Sequence, residues 1–264
     1  MCGIAAILLQ PQARSAHVWA ELRVLFTRNL VYHAARGRAA TGMGLIQRTG
    51  EAFVHKLNLP AEEFVQTNCF HDLLDTIDEE TVLLLGHTRQ PTKGSPLNAG
   101  NNHPIETGPV VGVHNGHITN DDELFARWSL PRTAQVDSEI IFQRLATLSP
   151  LEQSYLHNIV ESLACLTGES TFLAVDRRQP TRLLAFKHIN PLNVYYHPAW
   201  NALIFSSSYL FLRRLFGHSV SRQPLAAAQL LCFDALHLAN TTGTPLVALD
   251  LPAPIDPCGC PPLH

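Results

Sequence analysis

The sequence has little net charge and no long hydrophobic run, and these two absences exclude several classes of function. Its 19 Lys and Arg residues against 22 Asp and Glu residues give a formal charge of -3. No basic surface for nucleic acid or for an acidic membrane is therefore indicated. No stretch reaches the roughly 20 apolar residues of a membrane span. The chain is 46% hydrophobic over 264 residues, which is typical of a globular protein with a substantial core.

Signals for export, for phosphate binding and for metal binding are also missing. No basic segment precedes the short apolar run after Met1, and no small-residue cleavage site follows it, so we expect a cytoplasmic protein. The chain has no Gly-x-x-x-x-Gly-Lys loop for nucleotide phosphates. Its 14 histidines are dispersed and form no metalloprotease-type pair. We therefore expect neither a cofactor nor a metal ion.

The most informative residue that is present is Cys2, because removal of Met1 would make it the N-terminus. Its thiol and its free α-amine would then have reference pKa values of about 8.5 and about 7.7–8.0. An amine that titrates near neutral pH is well matched to take a proton from such a nucleophile. The alternative interpretation is that Cys2 is only the second residue of a buried first strand.

Three further segments contain the other groups that such a nucleophile needs: Gly86-His87-Thr88-Arg89, His114-Asn115-Gly116-His117 and Val136-Asp137-Ser138-Glu139. In this order after Cys2-Gly3-Ile4, they resemble the class II glutamine amidotransferases, the glutaminase domains with an N-terminal nucleophile. The resemblance extends from residue 2 to about residue 208. It implies hydrolysis of the side-chain amide of L-glutamine to glutamate and ammonia through a thioester on Cys2.

The resemblance implies that Asn115 and Gly116 stabilise the oxyanion of this reaction. The donors would be the Asn115 side-chain amide and the Gly116 backbone N–H, and the loss of one such donor typically raises the barrier by about 3–4 kcal/mol. The alternative is a tight turn, because Asn-Gly is also the commonest signal for a two-residue hairpin connection.

Three further residues match the groups that hold the amino acid substrate. Arg89 matches the arginine that binds the substrate α-carboxylate, a role for which a guanidinium is well shaped. Thr92 matches a nearby hydroxyl that contacts substrate, and Asp137 matches the carboxylate that receives the α-ammonium group. The alternatives are a surface ion pair for Arg89 and, for Asp137, a charge at a helix N-terminus.

Arg36-Gly37 resembles the arginine-glycine stretch of this family, in which the arginine helps to order the site near the nucleophile. The chain departs from the family pattern nearby. Ala39 replaces a polar residue, Gln90-Pro91 replaces an aromatic-plus-small pair, and Lys93 stands where many members have a histidine. Asn102-His103-Pro104 also matches the family, and we interpret it as a loop that supports the site.

The order of the predicted elements is strands, then helices, then strands, which favours packed antiparallel layers over βαβ units. Together with the resemblance it predicts an α+β fold, a four-layer α/β/β/α sandwich with two mainly antiparallel sheets between helical layers. We expect an amidotransferase domain over residues 1–220 and an extension with a proline-rich, flexible tail over residues 221–264. The local patterns predict that the strand Val110–His114 ends at Asn115-Gly116 and that Ala226–Leu231 is helical.

Too few residues follow the matched region for a domain that consumes ammonia, so we expect a stand-alone glutaminase that delivers ammonia to a separate synthase or transferase subunit. Two other interpretations remain open. One is an N-terminal-nucleophile hydrolase that acts on another amide, for which Ala39 and Gln90-Pro91 leave room. The other is a catalytically silent regulatory subunit with the same fold. No interpretation requires nucleic acid or a membrane.

Overall fold

The strand β1 (Gly3–Leu9) lies at the centre of the computed structural model, which describes residues 1–217, 220 and 224–252. All seven residues of β1 are buried. Side chains alternate along a strand, so Ile4 and Leu8 face one hydrophobic core while Ile7 and Leu9 face another. The continuous apolar run at the start of the chain is therefore explained by burial on both faces of the strand.

Within the described residues, two six-stranded sheets stack on each other, with the strand orders β3-β2-β4-β1-β10-β9 and β12-β11-β8-β7-β6-β5. Neighbouring strands pair antiparallel throughout. The core between the sheets includes Ile4, Val113 and Leu173. Besides β1, the strands are β2 (Ala40–Gln47), β3 (Ala52–Leu57), β4 (Thr81–Arg89), β5 (Ile105–Thr107), β6 (Val110–Ile118), β7 (Gly168–Asp176), β8 (Arg182–Lys187), β9 (Asn193–His197), β10 (Ala202–Ser206), β11 (Gln229–Asp234) and β12 (Val247–Asp250).

Helices cover the outer face of each sheet. The helices against the first sheet are α1 (Ala16–Tyr32), α2 (Ala61–Phe64), α3 (Asn68–Asp75) and α7 (Tyr209–Phe216), and those against the second are α4 (Asp121–Arg127), α5 (Glu139–Thr147) and α6 (Tyr155–Ala164). A short helix, α8 (Leu238–Thr241), follows β11. The four layers confirm the predicted α+β sandwich. Among the described residues, no helix combines the length and hydropathy that a membrane span requires.

The longest helix, α1, follows its local sequence closely. The Ser15 hydroxyl accepts a hydrogen bond from the Val18 N–H and caps the N-terminus. Apolar residues then recur at helical spacing, and Leu22, Phe26 and Leu30 are buried. This face packs on β1 and β4 and so supports the strand ends where the candidate site lies.

Two local predictions are wrong, both where a strand replaces another element. Asn115-Gly116 is not a turn, because β6 continues to Ile118 with Asn115 opposite Thr171 and Gly116 opposite Ser170. The segment predicted as the helix Ala226–Leu231 enters β11, which pairs with β8. In both places, pairing with a neighbouring strand outweighs the local preference. The proline-rich tail, from residue 253 onward, lies outside the described residues.

Candidate active site

Cys2 and Arg89 are brought together by the pairing of β1 with β4. Gly3 lies opposite Thr88 in this antiparallel pair, so the residues next to them are neighbours at the same edge of the sheet. The Cys2 sulfur contacts the peptide that follows Arg89. The Gln90 N–H donates a hydrogen bond to Sγ over 3.3 Å, and Sγ lies 3.5 Å from the Gln90 carbonyl oxygen. The residues predicted as nucleophile and as carboxylate ligand therefore share one site.

The surroundings of Cys2 act on its thiol in opposite directions. Burial is the largest effect and raises the pKa of the thiol above its ordinary value, and the charge of Asp137 raises it further. The Gln90 N–H, the charged amino terminus and Arg89 all lower the pKa, but they do not cancel the effect of burial. Because the thiolate is the reactive form, a base near the sulfur would be needed at neutral pH.

Arg36 and Gly37 contact the nucleophile from two sides. Arg36 donates a hydrogen bond from Nε to the Cys2 carbonyl oxygen over 2.8 Å. Gly37 packs directly on the Arg89–Gln90 peptide, where a Cβ would lie 2.5 Å from the Arg89 carbonyl carbon and 2.7 Å from the Gln90 nitrogen. Only a glycine allows this approach, and the approach keeps the donating peptide beside the sulfur.

Replacing Gly37 by alanine is therefore expected to move the Gln90 N–H away from the sulfur. Without this donor the pKa of the Cys2 thiol rises further, so the thiolate fraction at neutral pH falls and alkylation by iodoacetamide slows several-fold. Overpacking should also lower the free energy of unfolding by about 1–3 kcal/mol. The measurement is the alkylation rate of Cys2 as a function of pH, whose profile should move to higher pH.

Gly100→Ala is the matched control, because Gly100 lies in an exposed turn where the nearest atom to a Cβ is 3.3 Å away. It should leave the pH profile unchanged. An unchanged profile for Gly37→Ala as well would contradict the role of the Arg89–Gln90 peptide.

Arg89 is buried and holds the loop that follows it. Its guanidinium donates to Asn102 Oδ1 over 2.8 Å and to the Lys93 and Gly94 carbonyl oxygens over 2.7 and 2.8 Å. All three acceptors are uncharged, and Arg89 forms no ion pair with any described carboxylate. A surface ion pair is therefore not its role in the structure. Arg89 thus brings a positive charge close to Cys2 without a direct ion pair among the described residues, and a substrate carboxylate would supply that partner.

Asp137 supplies a negative charge to the same site. It precedes α5, a helix that packs on the second sheet. Its carboxylate is buried and accepts a hydrogen bond from the Ile118 N–H over 2.7 Å, with His117 Nδ1 at 3.6 Å. It acts electrostatically on both Cys2 and Arg89. The carboxylate lies two residues before α5 begins at Glu139. The site thus contains the cations Arg36 and Arg89 and the anion Asp137, so it offers both signs of charge that an α-amino acid requires.

Asn115 carries a buried amide without a partner. Its Nδ2 atom has no hydrogen-bond acceptor among the described residues, although buried polar groups are almost always paired. Its backbone carbonyl accepts from Asn190 Nδ2 over 3.2 Å, which fixes this point of β6. The neighbouring Gly116 packs so closely on β7 that a Cβ would lie 2.0 Å from the Glu169 carbonyl oxygen. An unpaired donor held on rigid strands is suited to an oxyanion that forms only during reaction.

The loop 90–104 carries Thr92 and Lys93 and is fixed at several points. Thr92 is exposed in this loop, three residues after Arg89, and its role in substrate binding stays a prediction. Lys93 Nζ lies 2.6 Å from Asp121 Oδ2 and 3.0 Å from Asp122 Oδ1. Arg132 contacts the same two carboxylates. Because Lys93 also offers its carbonyl to Arg89, this ion-pair network connects α4 to the candidate substrate-binding arginine.

Replacing Lys93 by methionine is expected to raise KM for glutamine about two- to fivefold with little change in kcat. The ion pairs are partly exposed, and such pairs contribute about 0–1 kcal/mol each. Steady-state kinetics at low and high salt check this, because screening should reduce the difference between variant and wild type. Arg48→Met removes a comparable ion pair with Glu80 far from the loop and should not change KM. Equal KM values for Lys93→Met and wild type would contradict the connection.

Sequence reasoning missed the buried polar supports of the site. His33 accepts the Ser207 N–H on Nε2 over 3.1 Å and donates from Nδ1 to the Asn29 carbonyl over 2.7 Å. Burial lowers the pKa of His33 to about 3, as it does for His87, so both rings are neutral. His87 Nε2 lies 2.9 Å from the His114 carbonyl and joins the two sheets near the site. These contacts join segments far apart in the chain, and no local pattern indicates them.

Groups that could hold a metal ion are not found in the described part of the chain: no three His, Cys, Asp or Glu side chains converge there.

Comparison with known proteins agrees with the resemblance found in the sequence. Residues 93–214 match the model of the glutamine amidotransferase domain family. The chain is 27% identical over 198 residues to a glutamine–fructose-6-phosphate aminotransferase of Vibrio parahaemolyticus, covering 73% of this chain and 29% of that protein. It is 24% identical over 218 residues to a 7-cyano-7-deazaguanine synthase of Sulfolobus acidocaldarius, covering 78% of this chain and 43% of that one. The chain thus spans less than half the length of these curated relatives.

Solved structures show the same fold. The glutamine phosphoribosylpyrophosphate amidotransferase of B. subtilis superposes with a TM-score of 0.63 at 16% identity, over 88% of this chain and 47% of that one. A glutamine aminotransferase class-II domain protein from Silicibacter pomeroyi superposes with a TM-score of 0.58 at 14% identity, over 97% of this chain and 100% of that one. Together, the family match over residues 93–214, the relatives and the fold show that this chain is similar to class II glutamine amidotransferases.

Proposed function

We propose that this protein hydrolyses the side-chain amide of L-glutamine to glutamate and ammonia, with Cys2 as an N-terminal nucleophile after removal of Met1. The observation that carries the proposal is the contact of the Cys2 sulfur with the peptide after Arg89. The proposal is supported further by the charges near the thiol, since Arg89 and Asp137 both act electrostatically on Cys2 and Asp137 also acts on Arg89. The family match covers residues 93–214 and therefore does not include Cys2. The proposed role of Cys2 rests on the contact with Gln90 instead.

In the proposed reaction, the α-amine of Cys2 takes the thiol proton and Sγ bonds to the amide carbon. The carbonyl oxygen becomes an oxyanion that accepts hydrogen bonds from Asn115 Nδ2 and the Gly116 N–H. The C–N bond then breaks as the amine returns the proton to nitrogen, and ammonia leaves. Water attacks the thioester, its proton passes through the amine to Sγ, and glutamate is released with the thiol regenerated.

The substrate would be held by its own two charges. Arg89 binds the α-carboxylate, Thr92 contributes its exposed hydroxyl, and Asp137 receives the α-ammonium group. Arg36 keeps the Cys2 carbonyl in place through its Nε hydrogen bond. The two opposite charges that act on the thiol, those of Arg89 and Asp137, support an α-amino acid over a neutral amide substrate.

We also propose that the ammonia passes to a separate synthase or transferase subunit in the cytoplasm. The relatives support a transfer of nitrogen to an acceptor, since one is named a glutamine–fructose-6-phosphate aminotransferase and its name includes both glutamine and the acceptor. The test is whether a co-purified enzyme stimulates glutamine hydrolysis. Absence of any such partner and of any stimulation would contradict this part of the proposal.

Steady-state release of glutamate from L-glutamine, compared with a panel of other amides, tests the reaction itself. We expect turnover of L-glutamine and little turnover of D-glutamine or of glutaramide, which lacks the α-ammonium and α-carboxylate groups. A preference for an acylated amine would favour an amidohydrolase with another substrate, which the departures at Ala39 and Gln90 permit. No turnover of any amide by protein with a free Cys2 amine would favour a silent regulatory subunit.

A further inference from the structure

A cavity of about 520 Å³ lies beside Arg36, between the end of β8 and the start of α7. Of the residues with a role proposed above, Arg36 alone is among its lining residues. Its size falls within the range of about 300–1,000 Å³ that is typical of sites for small organic molecules. The cavity is therefore large enough for a metabolite and not only for a bare ion.

Among the described residues, the charges that line this cavity are all positive. Arg36 and Lys187 are both among the lining residues, and no described Asp or Glu is. Neither cation forms an ion pair with a described carboxylate. Arg36 donates from Nε to the Cys2 carbonyl, and its NH2 group lies 3.9 Å from the Met1 sulfur, which is a weak acceptor. Two positive side chains without anionic partners thus converge on one cavity.

The rest of the lining divides into a polar part and an apolar part. Ser207 and Asn193 are buried polar residues of the lining, and each is fixed by a contact to the first sheet. Ile189 and Leu210 also line the cavity and are 59% and 62% exposed, although large apolar side chains are usually buried. A cavity lined by cations, by buried polar groups and by exposed apolar side chains suits an organic anion.

We propose that this cavity binds a small organic oxyanion, a molecule whose carboxylate or phosphate group pairs with Arg36 and Lys187 and whose carbon skeleton contacts Ile189 and Leu210. Arginine and lysine are the residues that bind such groups through charge-assisted hydrogen bonds. The cavity adjoins the proposed glutamine site at Arg36, which contacts Cys2, but Arg89 and Asp137, the residues proposed to hold glutamine, are not among its lining residues. The proposal does not depend on the glutaminase reaction, because it concerns binding alone.

Isothermal titration calorimetry on the full chain tests the proposal with three probes: glycerol 3-phosphate, succinate and uncharged glycerol. We expect at least one of the two anions to bind and glycerol not to bind, and the comparison of the two anions tells a phosphate site from a carboxylate site. Lys187→Gln should weaken binding about tenfold or more, because a hydrogen bond to a charged group is lost. Arg182→Gln removes a cation from the other end of the same strand, where it lies near Asp234, and should leave the affinity unchanged.

Three results would overturn the proposal. The first is no heat of binding for either anion at millimolar concentration. The second is equal binding of glycerol, which would show that charge is not recognised. The third is wild-type affinity in Lys187→Gln, which would place the anion elsewhere on the protein. Thermal unfolding of the two variants is the control for folding. We expect both to fold, because Lys187 is half-buried and Arg182 is exposed.

Discussion

Replacing Cys2 by alanine is expected to lower kcat for glutamine hydrolysis by about 10³-fold or more, because no other group can form the thioester. The α-amine remains in this variant, so the change isolates the sulfur from the proposed base. Binding of glutamate should persist, since Arg89 and Asp137 are untouched. The measurement is glutamate release under saturating glutamine, together with glutamate binding by calorimetry.

The control for this variant is Cys69→Ser. Cys69 is an exposed free thiol in the first turn of α3, remote in sequence from the site. Its replacement should leave kcat unchanged. Turnover by Cys2→Ala close to that of wild type would refute the thioester mechanism, and loss of activity in both variants would point to a general requirement for thiols.

Replacing Asn115 by alanine is the second large expected effect, a decrease in kcat of about 10²–10³-fold, or about 2.7–4 kcal/mol of barrier. The Nδ2 donor has no partner among the described residues, so its hydrogen bond would be made only when the oxyanion forms. An interaction made only in the transition state affects kcat and not KM. The kinetics should therefore show a large change in kcat with a nearly constant KM.

The same lack of a partner predicts a small effect on stability. Removal of Asn115 Nδ2 breaks no hydrogen bond of the native structure, so the free energy of unfolding should change far less than the activation barrier. Asn158→Ala is the matched control, because its Nδ2 donates to Ser154 Oγ on α6, away from the site. It should leave kcat unchanged. An Asn115→Ala variant with wild-type kcat would exclude the proposed oxyanion donor.

The layered fold could be predicted because its decisive signals are local. The strand Gly3–Leu9 is a continuous apolar run, and it is buried on both faces in the structure. Likewise, the spacing of Leu22, Phe26 and Leu30 predicts the buried face of α1. These apolar patterns depend only on which face of a strand or helix is buried. Each buried residue along the element repeats the same signal.

The two wrong local predictions have a common physical cause. Asn-Gly favours a turn when only near neighbours are considered, but here both residues belong to the nine-residue ladder between β6 and β7. The alanine-rich segment near residue 226 favours a helix, but the chain after it pairs with β8. In each case, many distant backbone hydrogen bonds outweigh a preference of about 1 kcal/mol or less.

The candidate site could be predicted in its residues but not in its contacts. The resemblance pointed to Cys2, Arg89, Asn115 and Asp137, and their assigned roles stay predictions. The donor to the Cys2 sulfur is the backbone N–H of Gln90. Almost any residue at position 90 would have this N–H, so the residue type does not predict the contact. Nor could the sequence show that Asn102 would accept from Arg89, since that contact depends on the path of the loop.

Mass spectrometry of the active protein, before and after treatment with a glutamine-mimicking electrophile, tests the central claim most directly. The account predicts that the intact mass lacks Met1, that one adduct forms on the Cys2 sulfur, and that turnover stops as the adduct accumulates. Fully active protein that retains Met1, or complete inactivation by an adduct on another residue with Cys2 unmodified, would contradict it.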